Sequence, residues 1–121
     1  GLLVGYELAR SIGCNFMFYE RSSEQFELRR GFSIKEQANV LFVEDVITTG
    51  KSTNECLEKL NQLNINLLGI ATIVDRSNEV LFDNFEIISL LKIDIPVYDS
   101  DNLPDDLEKI KPIKPGSRII Q

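Results

Sequence analysis

Val40-Leu41-Phe42-Val43-Glu44-Asp45-Val46-Ile47-Thr48-Thr49-Gly50-Lys51-Ser52 is the stretch whose reading decides the fold. Its first four residues form a short, wholly apolar run, which predicts a strand buried on both faces, as in parallel sheets. Glu44 and Asp45 then put two carboxylates where that strand should end. Thr48 to Ser52 is rich in hydroxyls and backbone amides and predicts the opening of a helix. Ser52 and Glu55 have the Ser-x-x-Glu spacing of a capping box. A helix start after a glycine-containing turn attracts anions, because unpaired N–H groups and the helix dipole both favour a phosphate there. An acidic pair for hydroxyls or a metal thus stands beside a cradle for a phosphate, a combination that suits a sugar phosphate.

Gly50-Lys51-Ser52 also matches the end of the P-loop pattern G-x-x-x-x-G-K-[ST], but that pattern needs a glycine at position 45, which is Asp. A carboxylate there would block the close wrap of backbone around a diphosphate and repel it. An ordinary strand–turn–helix would explain Ser52 and Glu55. It would not explain two adjacent carboxylates at the end of a buried strand.

Working outward, Cys56, Leu57, Leu60 and Leu63 lie at helical spacing and predict a helix packed on the sheet. Leu67 to Val74 is a second, nearly continuous apolar run, hence another buried parallel strand. Strand, helix, strand in that order predicts a crossover within an α/β sheet. Ligands of such sheets bind beyond the carboxyl ends of the strands, where both Glu44-Asp45 and Asp75-Arg76 fall. Toward the N-terminus, Leu2, Leu3, Tyr6, Ala9 and Ile12 predict a core helix that Gly13 stops. Asn15 to Tyr19 is a strand candidate, Arg21 to Gln25 reads as a polar turn, and Phe26 to Arg29 as a half-exposed strand. Arg29 or Arg30 could offer charge to a phosphate, or simply be solvated. Toward the C-terminus, Ser77 to Asn84 reads as a polar turn region and Phe85 to Leu91 as a strand. Pro96 marks an extended segment outside any central ladder. Asp99 to Asp106 reads as an acidic loop with one helical turn after Pro104.

The chain has 121 residues, 43% of them hydrophobic, a net charge of −6 and no histidine. That is one domain's worth of chain with a real core. The acidic balance argues against a nucleic-acid partner. No apolar run is long enough to span a membrane, and there is no signal-peptide pattern. Without histidine, histidine acid–base chemistry and histidine metal sites within this chain are excluded. Cys14 and Cys56 sit in apolar contexts without metal-like spacing and are expected to be buried free thiols in a reducing cytosol.

Val43 to Ser52 resembles the phosphoribosyl pyrophosphate (PRPP) signature of type I phosphoribosyltransferases. Around it, Gly1-Leu-Leu-Val-Gly-Tyr-Glu-Leu-Ala9, Leu28-Arg-Arg-Gly-Phe32, Val74-Asp-Arg-Ser77 and Pro115-Gly-Ser-Arg118 are similar to the orotate-specific branch of that family. The resemblance implies an α/β fold with a mainly parallel sheet flanked by helices, residues 1–121 forming one core domain that lacks the family's N-terminal hood. Gly1 then resembles the last glycine of the pyrophosphate loop, with the hood and first core strand upstream.

The implied reaction joins orotate to PRPP, giving orotidine 5′-monophosphate and pyrophosphate in de novo pyrimidine (UMP) synthesis. The resemblance also implies Mg²⁺ carried by PRPP rather than by protein ligands, a homodimer, and a cytoplasmic location. Glu44 and Asp45 would take the ribose hydroxyls and favour a developing ribosyl cation. Val46, Ile47, Thr48, Thr49, Gly50, Lys51 and Ser52 would wrap the 5′-phosphate. Thr48 and Arg76 would contact orotate, whose carboxylate suits a guanidinium fork. In many relatives the loop that would fall between Arg21 and Arg30 carries a Lys and a His, and this chain has neither there. Other readings of the central unit are a phosphoribosyltransferase for another base, a non-enzymatic PRPP-binding regulator, and a receiver-like module. The last fits the order of two carboxylates and Thr-Thr-Gly poorly.

Overall fold

The computed structural model describes residues 1–22, 25–77, 82, 85, 87–96, 98–99, 101–111 and 113. In chain order the elements are α1 (Leu2–Ile12), β1 (Tyr19–Ser22), β2 (Gln25–Leu28), β3 (Asn39–Ile47), α2 (Lys51–Leu60), β4 (Asn66–Asp75), β5 (Ile87–Lys92) and α3 (Asp105–Glu108). β3, β4 and β5 form a sheet in that order, all parallel, while β1 and β2 pair as a separate antiparallel hairpin. This is the α/β arrangement expected from the two apolar runs. Parallel neighbours need a crossover, and α2 supplies it between β3 and β4.

The core lies where α2 meets the sheet. Ile47, Leu57, Leu60, Ile70 and Phe82 form its buried centre, with Phe42, Leu67 and Ile87 packed around them. Cys56, Leu57 and Leu60 are buried as the helical spacing required, whereas Leu63 lies beyond the helix and is exposed. β4 carries one extra residue: Val40 faces Leu67, but Leu41 faces Gly69. The bulge leaves Leu68 out of the ladder and 65% exposed, while Ile70 is fully buried.

Several expectations need correction. The strand expected at Val40–Val43 is longer, and Glu44 and Asp45, expected at its end, lie within its last four residues. Val40 to Val43 are half-buried rather than buried on both faces. Among the described residues β3 is the edge of its sheet, and it borders an apolar cavity of about 650 Å³ between α1, the hairpin and α2. Helix α1 ends at Gly13 as predicted, but its packed face differs. Gly5 and Ala9 are buried, while Leu2, Leu3, Tyr6 and Ile12 are exposed. The small residues set the close approach: a Cβ on Gly5 would stand 3.0 Å from the Phe16 ring and 3.9 Å from Val43. Cys14 is exposed, not buried.

The first strand begins at Tyr19 instead of Asn15, and Arg21 and Ser22 belong to it rather than to a turn. The reason is the ladder that Tyr19 to Ser22 makes with Gln25 to Leu28. Phe16 and Phe18 instead join an aromatic chain running from Tyr6 to Phe32. β5 and the short α3 fall where the sequence put them. Most of the Ser77–Asn84 region and the Pro115–Arg118 motif lie outside the described residues.

The contrast within β4 is testable. Ile70→Ala should cost about 2–5 kcal/mol of stability, and Leu68→Ala no more than about 0.5 kcal/mol, by urea unfolding. Equal losses would contradict the burial pattern.

Candidate active site

Ten consecutive residues, Glu44 to Thr53, line a hollow of about 240 Å³ at the carboxyl end of β3. Gly50 bends the chain from strand to helix. It is the N-cap of α2 with φ of 70°, a left-handed conformation that glycine adopts without strain. No side chain caps the helix, and the first N–H groups of any helix have no intrahelical acceptor. Among the described residues, Thr49 Oγ1 approaches them, at 3.5 Å from the Lys51 N–H. The capping box expected from Ser52 and Glu55 does not form. The helix starts at Lys51, so Ser52 is already inside it, and Glu55 pairs instead with Arg21 across 2.8 Å. The unfilled cap leaves the helix start open to an anion, which strengthens the phosphate reading of the loop.

The two carboxylates are held by their own backbone. Glu44 Oε1 accepts the Asp45 N–H at 2.9 Å, and Asp45 Oδ1 accepts the Val46 N–H at 2.8 Å. Thr72, a buried residue on β4 that sequence reasoning missed, donates its hydroxyl to the Asp45 carbonyl at 3.0 Å. Partial burial works against the charged form of Asp45. Hydrogen bonds shared with the Glu44 carboxyl and donated by the Val46 N–H oppose it, and Asp45 is held below the usual carboxylate range. The Gly1 nitrogen lies 2.9 Å from Glu44 Oε1 and 3.3 Å from Asp45 Oδ2. A Cβ on residue 1 would stand 2.6 Å from Glu44 Oε1, a side-chain end that can shift, and 3.1 Å from the Val43 carbonyl, a tight approach that favours glycine.

At the end of β4, the Arg76 N–H donates to the Ile47 carbonyl at 2.8 Å. This bond joins Arg76 to the residue from which the loop into α2 departs. Its side-chain Nε is buried and has no partner among the described residues. Asp75 just before it is buried and fully engaged, by Ser77 and by Lys92 at 3.3 Å. The Glu44–Asp45 pair, the loop and Arg76 are therefore brought together, while Asp75 turns away into its own contacts. Ile47 is buried in the core and can offer a ligand backbone groups only, whereas Val46 is exposed. Arg30 is paired with Glu20 at 2.8 Å, and Arg21 lies over the Phe26 ring as well as on Glu55. Burial pushes the Cys56 thiol up to about 12, with help from Glu44 and Glu55, so it stays protonated near neutrality. The described residues contain no cluster of three or more His, Cys, Asp or Glu side chains able to hold a metal.

A strand-end acidic pair, an open helix start and an arginine beyond the next strand thus meet at one edge of the sheet. The profile of the phosphoribosyl transferase domain family matches residues 1–108, and the chain belongs to that family. Among named relatives, the orotate phosphoribosyltransferase of Phenylobacterium zucineum is 42% identical over 121 residues, covering 100% of this chain and 62% of the relative. The enzyme of the same name from Thermoanaerobacter sp. is 42% identical over 120 residues, covering 98% and 62%. The chain thus spans about three fifths of the length of these curated relatives. The solved adenine phosphoribosyltransferase of Thermoanaerobacter pseudethanolicus superposes with a TM-score of 0.60 at 20% identity, over 77% of this chain and 64% of that one. That likeness confirms the type I phosphoribosyltransferase fold.

Asp75 gives the site's surroundings a pH signature. Burial raises its pKa, but the Ser77 hydroxyl, the Ser77 N–H and Lys92 outweigh burial and lower it. The folded state therefore binds fewer protons than the unfolded one. The stabilisation is complete above the ordinary aspartate value of 3.8 and is lost as pH falls through the lowered folded value. The stability gap between wild type and Asp75→Asn, followed by urea midpoints, should close as pH drops below about 4. A gap independent of pH would contradict this.

Proposed function

We propose that the complete protein transfers the 5-phosphoribosyl group of Mg–PRPP to orotate, forming orotidine 5′-monophosphate and pyrophosphate. The observation that carries the reading is the meeting of three groups at one sheet edge: the acidic pair, the open helix start, and an arginine with a buried, unpartnered Nε. The names of the relatives agree with it.

In this reading the 5′-phosphate lies in the hollow, bound by backbone N–H groups of residues 48 to 52 and by the hydroxyls of Thr48, Thr49 and Ser52. Glu44 and Asp45 accept hydrogen bonds from the ribose hydroxyls. The bond between the anomeric carbon and the pyrophosphate oxygen breaks, and its electron pair leaves with pyrophosphate. Orotate N1 forms the new bond, and its proton passes to solvent. Positive charge builds on the ribose between these events, and the carboxylates of Glu44 and Asp45 stabilise it from a fixed position. Arg76 and Thr48 hold the base, with the guanidinium on orotate's carboxylate. Mg²⁺ would be held by PRPP rather than by protein ligands, and would supply charge to offset that of the pyrophosphate. The chain is read as the C-terminal part of a cytoplasmic, homodimeric enzyme of pyrimidine synthesis.

Turnover of orotate, uracil and adenine with Mg–PRPP tests the reading. Only orotate should be consumed; consumption of adenine alone, or of no base, would refute it. Asp45→Asn should lower kcat far more than PRPP affinity, because a carboxylate facing a forming cation acts mainly in the transition state. An unchanged kcat would remove Asp45 from the chemistry. Arg76→Ala should weaken orotate binding by about 30- to 1000-fold and leave Mg–PRPP binding nearly unchanged, by calorimetric titration. Arg76→Lys should recover only part of the loss, since an ammonium lacks the planar fork.

A further inference from the structure

Arg76 is the second residue of a short, buried turn built from Asp75 and Ser77. Asp75 Oδ1 accepts both the Ser77 N–H at 2.8 Å and the Ser77 hydroxyl at 2.6 Å. Asp75 Oδ2 faces Lys92 Nζ at 3.3 Å, and the Asp75 carbonyl accepts the Ile93 N–H at 2.9 Å. Asp75 is 2% and Ser77 4% exposed. Closure from a side-chain oxygen to the N–H two residues on is an Asx turn, and it restricts the backbone of the residue between. Arg76 is that residue, and its own N–H is already fixed to Ile47 at 2.8 Å. Its backbone is thus tied on both sides, while its buried Nε has no partner among the described residues.

We propose that Asp75 and Ser77 are positioning residues for Arg76, aiming its guanidinium at the carboxylate of the base. The inference rests on the orotate reading and deepens it. The choice of residue types supports it. A carboxylate offers acceptors on both oxygens, to the two Ser77 donors and to Lys92. An asparagine in the same place could keep its Oδ1 on the two Ser77 donors, but it would turn an amide donor toward Lys92 and cost the turn that outer anchor. The serine hydroxyl doubles the turn-closing contact, and removing it should let residue 76 sample other backbone angles without opening a large cavity. A group whose geometry is over-determined in this way loses less freedom when it grips its ligand.

The test is a double-mutant cycle in the protein expressed from its complete reading frame. Asp75→Asn and Ser77→Ala are each combined with Arg76→Ala. Binding of orotate and of Mg–PRPP is measured by calorimetry, and kcat/KM for orotate by turnover. Ser77→Ala keeps the backbone hydrogen bond and serves where Asp75→Asn folds poorly. Each single change should weaken orotate about five- to tenfold and leave Mg–PRPP within about twofold. In the Arg76→Ala background neither change should weaken orotate further. Equal losses for both ligands, or losses that simply add to that of Arg76→Ala, would mean a merely structural turn and would overturn the inference. If Arg76→Ala weakens orotate but Ser77→Ala and Asp75→Asn do not, the inference falls and the orotate reading stands. If Arg76→Ala itself leaves orotate binding unchanged, the orotate reading falls and takes the inference with it.

Discussion

The parallel pairing of β3 with β4 is the constraint on which the rest depends, and the bond from the Arg76 N–H to the Ile47 carbonyl closes it at the functional end. A parallel pair cannot be joined by a tight turn, so the chain leaving β3 must cross over through a helix before returning. The end of β3 is therefore close in sequence to the start of α2. One short segment, Thr48 to Gly50, has to be both strand exit and helix entrance. Unpaired helix N–H groups consequently stand beside whatever side chains end the strand, here Glu44 and Asp45. The returning strand ends at the same edge, with Asp75 opposite Ile47, and the next residue is Arg76. Three chemically different groups meet without any of them having been placed by a long loop.

The electrostatics of the edge follow from how each acid is satisfied. Asp45 is exposed and rests on neighbouring N–H groups that it could exchange for substrate hydroxyls. Asp75 is buried, with both oxygens committed to Ser77 and Lys92. The first arrangement leaves a carboxylate available to a ligand, and the second spends one on geometry. The chain carries a net charge of −6, yet a phosphate can still be held, because the helix start provides a local positive field that overall charge does not cancel at short range.

Much of this was legible in the sequence, for identifiable reasons. The apolar runs at Val40 to Val43 and Leu67 to Val74, with a helical stripe between them, encode the crossover unit locally. The glycine turn that opens α2 is likewise written in one contiguous segment. What could not be read depends on contacts distant in sequence. Glu55 looked like half of a capping box because its true partner, Arg21, lies on a hairpin 34 residues away. The packed face of α1 was misjudged because large apolar residues dominate a periodicity count, whereas Gly5 and Ala9 set the close approach to Phe16 and Val43. Asp75 was recognised as lying at the right edge, but only Lys92 on β5 and the turn to Ser77 reveal that it faces inward.

The central claim is that one sheet edge grips three parts of a nucleotide with three separate groups. The most direct measurement is a crystal structure of the protein from its complete reading frame with orotidine 5′-monophosphate, which spans all three. The account predicts the phosphate in the loop from Thr48 to Ser52, the ribose hydroxyls on Glu44 and Asp45, and the base carboxylate on the Arg76 guanidinium. A phosphate bound elsewhere, or a base carboxylate turned away from Arg76, would contradict it.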